Sequence, residues 1–256
     1  MQAFVDHPGT LFVVLLVAFV GAITFGALAL RRVFALKSEE REDFTNVETS
    51  TSTLTLLALL IGFNLSMAVN RYDQRKNLEE NEANAIGTEY ARADVVVPPV
   101  SAQIKAELTH YAQLRLAHFQ TRDAQEIARI EADTAKSQAA LWRLAAQVAR
   151  DQPTPIGAVV MTGMNDVLNS QDYSEAALLN RIPLGAWTLM IVIGLFACVV
   201  QGYGARGSVR RGILIIVLPV TVALSLTLIA DIDSPRGGII HIEPQNLARL
   251  LRSLGQ

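Results

Sequence analysis

Only one cysteine, Cys198, occurs in the 256 residues, and it lies inside an apolar run, so neither an intrachain disulfide nor a multi-cysteine metal site is available. Histidine is almost as scarce. His7, His110, His118 and His241 are scattered, and the two on one predicted helix, His110 and His118, are eight apart, beyond the i, i+4 spacing of a chelating pair. No nucleophile elbow, metalloprotease helix or dinucleotide fingerprint is present. The glycines of residues 202–207 lack the Lys-Ser/Thr and the strand-to-helix context of a phosphate loop. Excess charge is also missing: 22 Lys+Arg against 24 Asp+Glu give a net charge of −2, unlike a nucleic-acid binder. The expectation is no enzyme, no cofactor, no metal site and no nucleic-acid partner.

What the chain does have is apolar residues, 51% of the total, concentrated in four runs. Residues 11–30 are of full spanning length and close on Arg31-Arg32; the preceding residues carry no Lys or Arg, unlike a secretory signal. Gly21 and Gly26 in this run would allow close packing. Residues 52–94 read as one helix, apolar over 54–69 and strongly polar afterwards, with no proline to stop it. The third and fourth spans are 184–203 and 212–230, the last containing Pro219. Residues 31–51 read as a connector whose Ser/Thr run caps the second helix.

Between the second and third spans lies a predicted helical domain, residues 70–181, with helices at 101–119, 123–150 and 156–181 punctuated by Pro98-Pro99, Pro153 and Pro155. Ile127, Ile130, Thr134, Ser137, Leu141, Leu144 and Val148 recur at spacings of three and four, a seam for packing against other helices. Residues 231–256 form a turn and a short helix. Asp231 and Asp233 supply too few ligands to hold a cation alone. They read as a solvated helix terminus or as partners of a salt bridge to Arg236. The fold class is thus all-α: a polytopic membrane protein in the lipid bilayer, with four transmembrane helices and an inserted helical bundle.

At about 100° per residue, Thr55, Leu59, Gly62, Ser66, Asn70, Asp73, Asn77, Glu80 and Asn84 share one narrow face of the second helix. That face is small or polar almost throughout. Small residues permit close helix approach, and hydroxyls and amides bond to neighbouring helices, each bond worth about 0.6–2 kcal/mol. Alternatively the stripe borders water, with Leu59 and adjoining Phe63 as apolar constrictions and Asp73 as a charge at the mouth. Both readings hold if several such helices surround one axis.

The segments 62–68 (GFNLSMA), 71–75 (RYDQR) and 82–88 (EANAIGT), with 231–240 (DIDSPRGGII) after the last span, resemble the bestrophin-like family of bacterial membrane proteins. Arg71, Tyr72, Arg75, Asp231, Asp233 and Pro235 carry the resemblance. Toward true bestrophins the similarity is more distant. Their second span also has Gly-Phe followed, nine residues after the Gly, by Arg with aromatic and acidic residues, here Arg71, Tyr72 and Asp73. A lone Tyr72 stands where bacterial bestrophins have paired Trp, Arg75 comes one position early, and no acidic run like the animal calcium clasp is present.

The resemblance implies an ion channel of the bacterial inner membrane, a homo-oligomer with five copies, whose neck is lined by the second span. Thr55, Gly62, Ser66 and Asn70 would line the path, with Leu59 and Phe63 as the constriction and Asp73 and Glu80 setting a modest cation preference among inorganic ions. The competing class is a non-conducting scaffold or sensor whose helical domain binds a partner or ligand. Orientation is contested. Arg31, Arg32, Lys37, Arg41, Arg206, Arg210 and Arg211 in the two connectors put the helical domain outside by the positive-inside rule, whereas the resemblance implies the reverse.

Overall fold

The structure, a computed structural model, describes residues 7–30, 39–204 and 209–255, with side chains over 7–28, 48–204 and 216–255. Every regular element among them is helical. α1 is Pro8–Phe25, continued by a π-helical turn, Gly26–Leu30; α2 is Glu39–Arg92, followed by a 3-10 turn, Ala93–Val95. Then come α3 Val100–Gln120, α4 Ala124–Asp151, α5 Pro155–Leu179, α6 Leu184–Gly204, α7 Val209–Asp233 and α8 Gln245–Leu254. Four segments are long and apolar enough to cross a membrane: Pro8–Leu28, Glu48–Val95, Pro155–Gly204 and Ile216–Asp233. The chain is an all-α polytopic membrane protein. The basic residues of the two connectors lie in 31–38 and 205–208, or at Arg41, Arg210 and Arg211, outside the described side chains, whereas Arg71, Arg75, Lys76, Arg181 and Arg236, which oppose them in the charge count, are described.

One compact unit comprises Met1–Asn70 and Arg181–His241. In it α1 packs against α6 and α7. The buried positions of α1, Leu11, Leu15, Phe19 and Ile23, recur every four residues, the period of one helix face. Two glycines set the closest approach. A Cβ at Gly26 would lie 2.2 Å from the Val199 carbonyl oxygen, and one at Gly202 would lie 2.1 Å from that of Ile23, so any side chain there would push α1 and α6 apart. Gly21, the other glycine singled out in the sequence, faces open space and sets no such contact. Cys198 is a buried, packed thiol.

α2 starts earlier than its composition predicts. The Ser/Thr run lies inside the helix, not at its cap: the Thr53 hydroxyl donates to the Thr49 carbonyl and that of Thr55 to Thr51, each at 2.8 Å. Bonding back to i−4 satisfies a hydroxyl within the helix and removes the need for a terminus there.

The second unit comprises Arg71–Asn180 and Ile242–Gln256. Its core includes Ile86, Ile104, Leu108, Tyr111, Leu141, Val160, Met164, Val167 and Leu247. Asp123 caps α4, its carboxylate accepting the N–H groups of Gln125 and Glu126 at 2.9 Å, and Pro155 opens α5 at its first turn, where a missing N–H costs nothing. The α4 seam is consumed within the chain. Ile130, Thr134, Ser137, Leu141 and Val148 are buried where α4 packs on α3 and α5, and Ser137 donates to Glu107 at 2.5 Å. This seam therefore gives no argument for a partner subunit.

The C-terminal α8 belongs to this second unit. Glu79, buried on α2, accepts the backbone N–H groups of Asn246 and Leu247 at 3.0 and 2.9 Å and the Asn246 amide at 2.8 Å. A carboxylate on the first two N–H groups of a helix satisfies orphan donors and meets the positive end of its dipole.

Candidate functional site: the uncovered face of α2

α2 has 54 residues, about 80 Å at 1.5 Å per residue, so its apolar part can cross a ~30 Å hydrocarbon core and leave the polar half outside. Its two sides differ sharply. In the first unit Leu57, Asn64 and Ala68 are buried, while Thr55, Leu59, Gly62, Phe63, Ser66 and Asn70 are exposed. Leu59 and Phe63 are 53% and 63% exposed, unusual for large apolar groups unless lipid, a partner or a pore covers them. Gly62 has open space around it. Ser66 and Asn70 make no hydrogen bond to another helix among the described residues.

In the second unit Arg75, Glu79, Glu82, Ile86 and Glu89 are buried, and Asp73, Asn77, Glu80 and Asn84 are exposed. All nine positions of the stripe lie at the centre of the uncovered side, and the buried positions lie about 180° away on the helical wheel.

The motif residues divide by role. Arg71 and Tyr72 are half-buried. Arg75 is 2% exposed and donates to the carbonyls of Ala177 and Asn180 at 3.2 and 3.3 Å, closing the C-terminal end of α5 where a cation is favoured. Its guanidinium is thus held on the side of α2 roughly opposite Asp73. The nearest exposed cation on α2 is Lys76, about 60° round the helix from Asp73.

The closing motif 231–240, in the first unit, bonds both within itself and to the segment before α6. Asp231 accepts the N–H groups of Ile239 and Ile240 at 2.8 and 3.0 Å, both oxygens of Asp233 lie 3.1 Å from the N–H of Ile182, and the Ser234 hydroxyl accepts from Gly237 at 3.0 Å. Both aspartates are buried, so the solvated terminus expected from the sequence is corrected: the carboxylates hold backbone. Gly238 has φ +76°, and a Cβ there would sit 1.7 Å from Asp231 Oδ1, so only glycine lets the turn close on that carboxylate. Pro235 is half-buried at the bend.

The Bestrophin-like domain family matches residues 17–247. The chain belongs to the bestrophin-like family. Its fold is similar to the crystal structure of a bacterial bestrophin homolog from Klebsiella pneumoniae phased by Zn-SAD, at 13% identity, 95% of this chain, 96% of that chain and a TM-score of 0.67. A point variant of the same homolog matches at 13% identity, 96% and 98% coverage and a TM-score of 0.67. The crystal structure of a variant membrane protein matches at 12% identity, 96% and 97% coverage and a TM-score of 0.69. No curated protein matches the sequence.

Sequence patterns missed the polar interior of this bestrophin-like chain. Arg115 is fully buried and bonds Glu82 through Nε, and through Nη2 at 3.4 Å, with Glu175 on Nη1 at 3.1 Å. Gln171 extends the network: it donates to Glu175 at 2.7 Å and accepts from the Tyr111 hydroxyl at 2.9 Å and the Gln138 amide at 2.7 Å. Burial raises the pKa of Tyr111, which keeps its hydroxyl protonated as the donor. Carboxylates on the buried side of α2, at Glu79, Glu82 and Glu89, are the signal that would have pointed to this interior. No group of three His, Cys, Asp or Glu that could hold a metal occurs among the described residues.

Glu89 lies about 30 Å beyond Val69 along α2, outside the apolar span. Its carboxylate fills the space left by Gly163, with one oxygen 3.5 Å from Arg92 Nη1 and the other without a hydrogen-bond partner. Burial, outweighing Arg92, pushes its pKa up from 4.5 to about 7. The folded chain then holds a proton that the unfolded chain releases. Stability is expected to be highest below pH 4.5 as far as this group is concerned and to fall as pH rises toward about 7. Melting curves of the parent and Glu89→Gln across that window check this: the difference between them should slope in the parent's disfavour with rising pH, and a flat difference would refute it.

Proposed function

We propose that the chain is the subunit of a homo-oligomeric ion channel in the bacterial inner membrane, with copies of the uncovered face of α2 surrounding the conduction path. One observation supports this most: the small and polar stripe runs along the centre of the side of α2 that its own chain leaves open, interrupted by Leu59 and Phe63 and flanked by exposed Leu56, Met67 and Val69. Lipid can cover the apolar flanks, whereas the Ser66 and Asn70 side chains at the centre favour water or a neighbouring polar group. Resemblance to bestrophins suggests five copies.

Asp73 and Glu80 would then form carboxylate rings that attract cations and repel anions. Arg75 is bonded to the end of α5, whereas exposed Lys76, about 60° round the helix from Asp73, offsets part of their charge. A modest cation preference is the expected result. Reversal potentials in asymmetric salt, recorded for the parent, Asp73→Asn, Glu80→Gln and the double variant, check it. The potential should move toward zero stepwise; unchanged selectivity in all three would remove these carboxylates from the path.

A further inference from the structure

Within the second unit, the C-terminal half of α2, one residue of α5 and the outer side of α8 enclose an open groove of about 990 Å³. That is the size of a small-molecule site, roughly 300–1,000 Å³. Ala83 and Gly87 give it a flat floor, Val159 and Leu250 give apolar walls, and two guanidinium groups, Arg92 and Arg249, line it.

Neither cation is well matched. Arg249 is exposed and makes no ion pair or hydrogen bond among the described residues. Arg92 has one described partner, Glu89, at 3.5 Å, the outer limit of a hydrogen bond, so most of its donors are unused. The groove's own carboxylate, Glu80, lies about 18 Å back along α2 from Arg92, and between them the floor is apolar. Arginine forks favour carboxylate and phosphate oxygens, and an apolar floor favours an organic body over a bare inorganic ion.

We propose that this groove binds a small organic anion, its carboxylate or phosphate held by Arg92 and Arg249 and its apolar body lying on Ala83, Gly87 and Leu250. Glu80 and Asn84 of the stripe line this groove too, so in the proposed channel it would open toward the conduction path, and binding is therefore measured directly instead of through current.

Calorimetric titration of the purified full chain in detergent tests the site with benzoate, phenyl phosphate and, at matched ionic strength, inorganic phosphate. At least one organic anion should bind saturably, and the two arms separate a carboxylate from a phosphate ligand. Arg249→Gln, at an exposed position, should weaken binding at least about tenfold, the size of one lost charge-assisted hydrogen bond. Thr88→Trp, which fills the groove without changing charge, should abolish binding while leaving the melting temperature unchanged. Saturable binding that survives both substitutions, binding of inorganic phosphate as tight as that of the organic anions, or no saturable binding of either organic anion would overturn the proposal.

Discussion

Replacing Arg115 by Met is expected to destabilise the second unit by about 3–5 kcal/mol, because it strands the Glu82 carboxylate in the core without a counter-charge. Both side chains are fully buried, so water cannot take over from the lost guanidinium. Glu175 is 35% exposed and can rehydrate, which places the cost on Glu82. The double variant Arg115→Met with Glu82→Leu should recover most of the loss, since removing both charges removes the desolvation penalty as well. Thermal melts of the full chain in one detergent give the comparison. A single variant as stable as the parent would mean that Glu82 finds another partner or takes up a proton.

The second large effect is expected in the membrane. Leu59→Ala and Phe63→Ala should each raise single-channel conductance severalfold, with Phe63→Ala the larger because it removes the bulkier group. Narrow apolar rings oppose ions by excluding water, and trimming the side chain widens and wets the constriction. Exposed at 53% and 63% in one chain, neither residue supports the chain's own core, so both variants should assemble normally. Single-channel recordings in planar bilayers, with the oligomer checked by light scattering, measure the effect. Unaltered conductance in both would place these side chains against lipid or a neighbouring helix.

Why the stripe was legible in the sequence, and the polar interior was not, follows from the range of the interactions. Thr55 to Asn84 repeat within one helix, so helical periodicity alone puts them on one face, and the exposure of all nine agrees with that face. The Arg115–Glu82 and Arg115–Glu175 pairs are 33 and 60 residues apart and leave no local pattern. The attachment of α8 through Glu79 spans 167 residues, and nothing in the ten residues of α8 announces its partner. The turn 231–240 was recognisable as a motif, yet its two aspartates look like surface charges until the backbone N–H groups they accept are seen. Local chemistry also misled at the start of α2, where hydroxyls that usually cap a helix bond to carbonyls within it.

In the proposed channel, ions pass along the uncovered face of α2 of this bestrophin-like protein. The most direct test is a planar-bilayer recording of the purified oligomer in which Phe63→Cys is exposed to a membrane-impermeant, water-soluble thiol reagent. The one native thiol, Cys198, is buried, so the parent provides a silent background. The parent current is expected to be unaffected by reagent, and the Phe63→Cys current to be blocked irreversibly on modification. No current from the parent across ions, pH and voltage, or a variant current indifferent to a reagent shown by mass spectrometry to have reacted with the introduced thiol, would contradict conduction along this face.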